Sequence, residues 1–224
     1  MSLPIPETSI TLGLQNLMLK YDAVEAIDHL KSADPVLARV MEQVGPFTLE
    51  PREGTFRMLS RAIFFQQLAG PAARAILGRV LATLGADEEN WYTPAAFLNA
   101  TDEQLRTAGL SRQKLAYLRD LAAKFDSGEL SEDGFEGLDD DEVIAKVSAV
   151  KGIGRWTGEM FLIFSLGRPD VLPVTDYGVR KGFALAYGLS ELPTPRHLLE
   201  HGERWRPHRT TAAWYLWRAV DLLQ

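Results

Sequence analysis

The sequence of 224 residues contains no cysteine. That absence excludes disulfides, thiolate zinc sites, an all-cysteine iron–sulfur cluster and a cysteine nucleophile. Histidine is scarce, with four residues (His29, His197, His201, His208) that show no H-E-x-x-H spacing. His197 and His201 are four positions apart, which is the spacing of neighbours on one face of a helix. That spacing fits either a metal-binding pair or a plain surface pair.

Long apolar runs and an excess of basic residues are lacking as well. No run approaches the length of a membrane helix, and the N-terminus shows neither the basic stretch nor the apolar core of a secretory signal. We therefore expect a cytoplasmic, nucleoid-associated protein with no membrane partner. The net charge of −6 argues against coating nucleic acid through bulk charge. It is compatible with a protein that holds a few phosphates through backbone amides.

Nearly every periodic segment predicts a helix, and no convincing alternating strand is longer than a few residues. We therefore predict an all-α fold with two helical lobes. Ser9 to Leu14 is compatible with a short extended stretch, and the acidic, glycine-containing segment 126–141 predicts a solvated loop. The predicted helices cover 35–44, 55–68, 72–84, short segments after Thr93 and Thr101, 111–125, 139–150, 154–166 and 177–187.

The most informative stretch is 139–166, which predicts two helices joined by a hairpin. Asp139-x-x-Glu142 has N-cap spacing, and the first helix ends at Val150-Lys151-Gly152-Ile153-Gly154. Two glycines permit a tight turn and let a flat polyanion approach the backbone. N–H groups at the start of the second helix would then meet phosphate at an end with partial positive charge. The spacing alone fits a phosphate-binding hairpin and an ordinary glycine-capped helical hairpin equally well.

Residues 150–158 resemble the hairpin of the helix-hairpin-helix DNA glycosylase superfamily, whose pattern is apolar, any, Gly, apolar, Gly, then two positions and Thr-Ala. That superfamily has an aspartate about twenty residues later, and Asp176 in Leu172-Pro173-Val174-Thr175-Asp176-Tyr177 supplies it. On local sequence alone, Asp176 fits equally well as a helix N-cap. Further matches at 61–67, 205–209 and 214–217 extend the resemblance over residues 34–224 to the bacterial 3-methyladenine DNA glycosylase II branch.

The resemblance implies a lesion cleft between two lobes, one of residues 53–170 and the other of 1–52 plus 171–224. Larger members of the branch begin with a small β-rich domain. The roughly thirty residues before the first predicted helix are too few for a sheet with its own core. We therefore expect that domain to be absent, together with any contact it makes to the lesion.

The implied activity is monofunctional excision of alkylated purines, such as 3-methyladenine and 7-methylguanine, from duplex DNA by base flipping. Asp176 would stabilise the positive charge that develops on the sugar. The aromatic pocket walls suit cationic methylpurines. The resemblance assigns the pocket to Trp156, Met160, Tyr177 and Trp217, DNA binding to Gly152, Ile153, Gly154, Arg155 and Thr157, and the wedge to Gln67 or Leu68.

No cofactor is required, and we expect a monomer. Several members of the superfamily bind sodium or potassium through hairpin carbonyls, which here would be those of Ser148, Val150 and Ile153. Bifunctional relatives carry a lysine nucleophile where this chain has Trp156, and no lysine follows before Lys181. The alternatives are a glycosylase of this superfamily for uracil, mismatched thymine or oxidised guanine, and a non-enzymatic module that binds DNA through the hairpin alone.

Overall fold

The computed structural model describes residues 19–51 and 54–223, and Ser9 to Leu14 lies outside them. In the described residues the chain forms twelve α-helices and one 3₁₀ turn, without a β-strand, so the all-α prediction is confirmed. No described helix is both long enough and apolar enough to cross a bilayer. The helices are α1 (Ala23–Ala33), α2 (Pro35–Val44), α3 (Thr55–Phe65), α4 (Gly70–Thr83), α5 (Pro94–Asn99), α6 (Asp102–Thr107), α7 (Arg112–Asp126), α8 (Asp140–Ser148), α9 (Arg155–Phe164), α10 (Tyr177–Ala186), α11 (Pro195–Gly202) and α12 (Arg209–Leu223), with the 3₁₀ turn at Glu203–Trp205.

The helices divide into two compact units. The hairpin unit contains 54–161, and the terminal unit contains 19–51 and 162–223. We expected the division after residue 170, whereas the chain passes between the units inside α9. Backbone hydrogen bonds explain why the segment 162–170 belongs to the terminal unit. The Gly167 carbonyl accepts from Lys20 N–H at 3.0 Å, and the Pro169 carbonyl accepts from Thr210 N–H at 2.9 Å.

The hairpin unit is built around α7, against which α3 and α5 pack. Phe56 of α3 makes edge contacts with the rings of Tyr92 and Phe125. The acidic segment 126–141 was expected to be only a solvated loop, but it also stabilises the start of α3. Glu132 accepts from the N–H groups of Thr55 at 2.5 Å and Phe56 at 3.1 Å, and so satisfies two donors at the start of α3.

The terminal unit centres on α10 and α12, which pack closely. A Cβ at Gly182 would lie 1.8 Å from the Leu216 carbonyl oxygen, so only glycine permits this approach. Sequence analysis assigned no helix at α1, α11 or α12. For α12 the reason is physical: most of its residues are buried, so it lacks the apolar stripe that marks a surface helix.

A buried carboxylate joins four segments of the terminal unit. Asp34 Oδ1 caps α2, and Oδ2 lies 2.5 Å from Tyr187 Oη, 3.0 Å from His201 Nε2 and 3.0 Å from Trp205 Nε1. Burial alone would raise the pKa of Asp34, but these hydrogen bonds hold it below its usual range. His201 is therefore part of this hydrogen-bond network. The expectations of a metal-binding pair and of a plain surface pair at His197 and His201 are both wrong. No cluster of three or more metal-ligating side chains occurs in the described residues.

Candidate active site

The predicted hairpin is present between α8 and α9. Asp139 and Glu142 form a reciprocal capping box at the start of α8, with both hydrogen bonds at 2.8 Å. The turn closes where Ile153 N–H donates to the Val150 carbonyl at 3.1 Å. Helix α9 then begins at Arg155, directly after the second glycine. The structure thus confirms the local geometry that the glycine spacing predicts.

The two hairpin glycines have different surroundings. Gly152 has φ +81°, and a Cβ there would lie 2.2 Å from Tyr117 Cδ2. Any other residue at this position would combine backbone strain with a collision against an aromatic ring. Gly154 is exposed, and a Cβ there would meet no atom within 4 Å. Gly152 is therefore required for packing, while Gly154 leaves open space in front of the start of α9.

The hairpin backbone is held by side chains from two other segments. Asp120 of α7 accepts from Lys151 N–H at 2.9 Å, and its other oxygen lies 3.5 Å from Lys151 Nζ. Gln66, just after α3, donates from Nε2 to the Gly152 carbonyl at 2.7 Å. Sequence reasoning missed both Asp120 and the role of Gln66, because neither residue belongs to a pattern that includes the hairpin.

The expected DNA contacts of the hairpin differ in exposure. Arg155 is exposed and forms ion pairs at 3.2 Å with both Glu159 and Asp141. Ile153 and Thr157 are buried, Thr157 with 6% of its surface exposed. Their side chains therefore face the protein interior, and a contact with DNA from either residue would involve its backbone.

The expected wedge lies in a strained turn. Helix α3 ends at Phe65 rather than continuing to Leu68 as predicted. Gln67 has φ +55°, a left-handed conformation that costs a non-glycine residue about 1–2 kcal/mol. Lys114 anchors the turn by donating to the Phe64 carbonyl at 2.6 Å, and Gln67 and Leu68 are both exposed. Strain of this kind is common at functional sites.

Asp176 is the N-cap of α10. Its Oδ1 accepts from Val179 N–H and from the indole Nε1–H of Trp217, both at 2.8 Å. A Cβ at Gly178 would lie 2.8 Å from Trp217 Cδ1 and 3.2 Å from Asp176 Oδ1, so the absence of a side chain there makes room for this contact. The carboxylate is thus held by one backbone donor of the first helical turn and one side-chain donor of α12.

The four expected pocket residues belong to different parts of the chain. Trp156 and Met160 lie on the part of α9 in the hairpin unit, where Trp156 is 47% exposed and Met160 is buried. In the terminal unit, Tyr177 is 66% exposed. Trp217 is half-buried, and its ring stacks on Phe164 at a centroid distance of 5.7 Å. Two large aromatic surfaces, those of Trp156 and Tyr177, are thus accessible to a ligand.

Comparison with known proteins places these features in a family. The family model described as "HhH-GPD superfamily base excision DNA repair protein" matches residues 60–207. DNA-3-methyladenine glycosylase 1 of Schizosaccharomyces pombe is 36% identical over 199 residues, which cover 87% of this chain and 86% of that protein.

Two solved structures are also similar. The DNA-3-methyladenine glycosidase of Bacillus halodurans has a TM-score of 0.80 at 38% identity, covering 87% of this chain and 88% of that one. The Schizosaccharomyces pombe 3-methyladenine DNA glycosylase in complex with abasic DNA has a TM-score of 0.76 at 35% identity, covering 86% and 95%. This chain belongs to the HhH-GPD superfamily of base excision DNA repair proteins.

Proposed function

We propose that this chain is a monofunctional DNA glycosylase that removes alkylated purines from duplex DNA, and that it acts in the cytoplasm on nucleoid DNA. The observation that carries the proposal is the Asp176 carboxylate, fixed by two N–H donors to one oxygen at the start of α10. The names of the relatives from Schizosaccharomyces pombe and Bacillus halodurans specify 3-methyladenine as the base that those proteins release.

The chemistry requires an anion that does not move. Breaking an N-glycosidic bond transfers its electron pair to the departing base and leaves positive charge on C1′ of the deoxyribose. A carboxylate held in place stabilises that charge without having to reorganise during the reaction. Water then adds to C1′ and loses a proton, which gives a free base and an abasic site. Asp176 would stabilise the cation and orient the water.

Base recognition would use the exposed aromatic surfaces. Purines methylated at N3 or N7 carry delocalised positive charge in the nucleotide, and a cation over an aromatic face gains about 0.5–2 kcal/mol. Trp156 and Tyr177 are exposed enough to offer such faces. Alkylation also weakens the bond to the sugar, so a site that stacks the flipped base needs little further catalysis. Uracil and 8-oxoguanine are neutral and would gain less from stacking on these aromatic faces.

DNA binding would rely on backbone groups of the hairpin. The open space at Gly154 admits a phosphate to the first N–H groups of α9, where the helix dipole favours an anion. An alkali ion bound by the carbonyls of Ser148, Val150 and Ile153 would add positive charge at the same turn. Neutral carbonyl oxygens are ligands for hard cations, and those at the end of α8 carry partial negative charge.

The ion can be tested separately from catalysis. We expect the affinity for undamaged duplex to be higher in potassium or sodium chloride than in N-methylglucamine chloride at equal ionic strength. Equal affinity in all three salts would contradict the ion proposal and leave the glycosylase proposal intact.

The position of Trp156 supports a monofunctional mechanism. A lyase uses an amine to attack C1′ and form a Schiff base. This chain has an indole at the place where the resemblance puts that amine, and an indole nitrogen carries no basic electron pair. Water is therefore the expected nucleophile.

A base-release assay tests the proposal. The protein is incubated with duplex DNA treated with a methylating agent, and the released bases are separated by chromatography. Defined duplexes with uracil, a G·T mismatch or 8-oxoguanine are run in parallel. We expect release of 3-methyladenine and 7-methylguanine and little release from the other duplexes. Preferential release of uracil, thymine or 8-oxoguanine would replace the proposed substrate, and binding without release of any base would indicate a non-enzymatic module.

A further inference from the structure

Trp217 was expected to be a wall of the base pocket, but its indole nitrogen has a more specific contact. The Nε1–H donates to Asp176 Oδ1 at 2.8 Å, although the two residues are 41 positions apart in sequence. The same oxygen accepts from Val179 N–H at 2.8 Å. Two donors from different directions on one carboxylate oxygen restrict rotation of the carboxylate about its Cβ–Cγ bond.

The indole itself is held from two sides. Its ring stacks on Phe164, with centroids 5.7 Å apart and an interplanar angle of 26°. At its edge, the place where Gly178 would carry a Cβ lies only 2.8 Å from Cδ1 and 3.2 Å from Nε1. A side chain at Gly178 would push the indole away from the carboxylate. The Asp176–Trp217 contact therefore depends on this glycine as well as on the stacking partner.

We propose that Trp217 is a positioning residue that acts through its N–H group to hold the Asp176 carboxylate in its catalytic orientation. The inference rests on the proposed role of Asp176. Charge stabilisation depends on a group that is fixed before the reaction begins, so a carboxylate free to rotate would be less effective. The indole is suited to this task because it is a rigid donor with no acceptor of its own.

Trp217→Phe keeps a stacking ring and removes the N–H group. We expect its single-turnover rate of 3-methyladenine release to fall roughly 10- to 100-fold, the size expected for losing a hydrogen bond to a charged group. The Kd for duplex DNA with an abasic-site analogue should stay within about twofold, because no DNA contact is removed. Trp214→Phe is the matched control, since Trp214 lies on the same helix and packs against the rings of Phe47 and Tyr215.

A double-mutant cycle distinguishes positioning from a direct pocket contact. If Trp217 acts only through the carboxylate, Trp217→Phe should change the rate by no more than about twofold in an Asp176→Asn background. A wall of the base pocket would instead give the same reduction in both backgrounds. Independent reductions, or a wild-type rate for Trp217→Phe alone, would overturn the inference. A wild-type rate for Asp176→Asn would overturn the proposed role of Asp176, and the inference with it.

Gly178→Ala provides a second test that removes neither group. The added methyl would lie 2.8 Å from Trp217 Cδ1, and alanine is favoured over glycine in helices, so we expect the variant to fold. We expect a rate reduction similar to that of Trp217→Phe in a protein that still unfolds cooperatively, as circular dichroism would show. A wild-type rate for Gly178→Ala would show that catalysis does not depend on the Asp176–Trp217 geometry.

Discussion

Helices α9 and α10 use the same physical feature, a helix N-terminus, in opposite ways. Helix α9 begins after Gly154, where no protein atom fills the space in front of the first turn. Helix α10 begins after Asp176, whose carboxylate accepts from the N–H group of Val179 in that turn. The positive end of the dipole thus faces open space in one case and a carboxylate of the protein in the other.

Under the proposed function, this difference separates binding of DNA from the chemistry of base release. A contact from backbone N–H groups to phosphate carries no information about the base, so it holds damaged and undamaged DNA equally well. A fixed carboxylate contributes little to binding, but it stabilises the charge that develops as the glycosidic bond breaks. Substitutions at the two helix ends should therefore change different measured quantities.

The largest effect is expected from Asp176→Asn. Loss of the charge should lower the single-turnover rate of base release by roughly 10²–10⁴-fold. Asparagine caps helices as well as aspartate does, so the melting temperature and the Kd for lesion DNA should change little. A rate near that of the wild type would show that another group carries the chemistry.

The starts of α9 and α10 were predictable because the sequence signals for them are local. Glycine spacing, the capping box at Asp139 and the position of Asp176 each lie within a few residues of the structure they specify. The strained turn at Gln67 was not predicted, because helical periodicity continues past the point where the backbone turns into the left-handed region.

The supports of the two helix ends could not be predicted from local patterns. Gln66 and Gly152 are 86 positions apart, and Asp176 and Trp217 are 41 apart. Such pairs are specified by the fold as a whole, and a single sequence carries no periodic signal for them. The resemblance identified Trp217 as a site residue, but the direction of its N–H group depends on how α10 and α12 pack against each other.

The next effect concerns the difference between the two hairpin glycines. Gly152→Ala should destabilise the protein by about 2–4 kcal/mol, since it adds left-handed strain to a collision with Tyr117. Gly154→Ala is the matched variant and should unfold close to the wild type, because its methyl group enters open space. Urea unfolding followed by circular dichroism measures both. Equal stability of the two variants would contradict the division into a packing glycine and an open one.

A larger side chain at the open position should weaken DNA binding. We expect Gly154→Val to raise the Kd for methylated and unmodified duplex alike by roughly 10- to 100-fold, the equivalent of losing one or two charge-assisted hydrogen bonds. Gly78→Val is the control, since Gly78 is an exposed helical glycine of the same unit that also has no neighbour within 4 Å of its Cβ position. A change confined to lesion DNA would mean that the hairpin reads the base rather than the backbone.

The last prediction is that covalent trapping will be absent. With an indole at Trp156 the enzyme should release an abasic site in an intact strand, and borohydride should trap no protein–DNA adduct because no Schiff base forms. Trp156→Lys would introduce an amine and also remove an aromatic face, so we expect weak trapping at most, together with slower release of alkylpurines. Denaturing gel electrophoresis after reduction measures the adduct. Efficient trapping of the unmodified protein, lost in Asp176→Asn, would overturn the monofunctional mechanism and indicate Lys181 or Lys151 as the nucleophile.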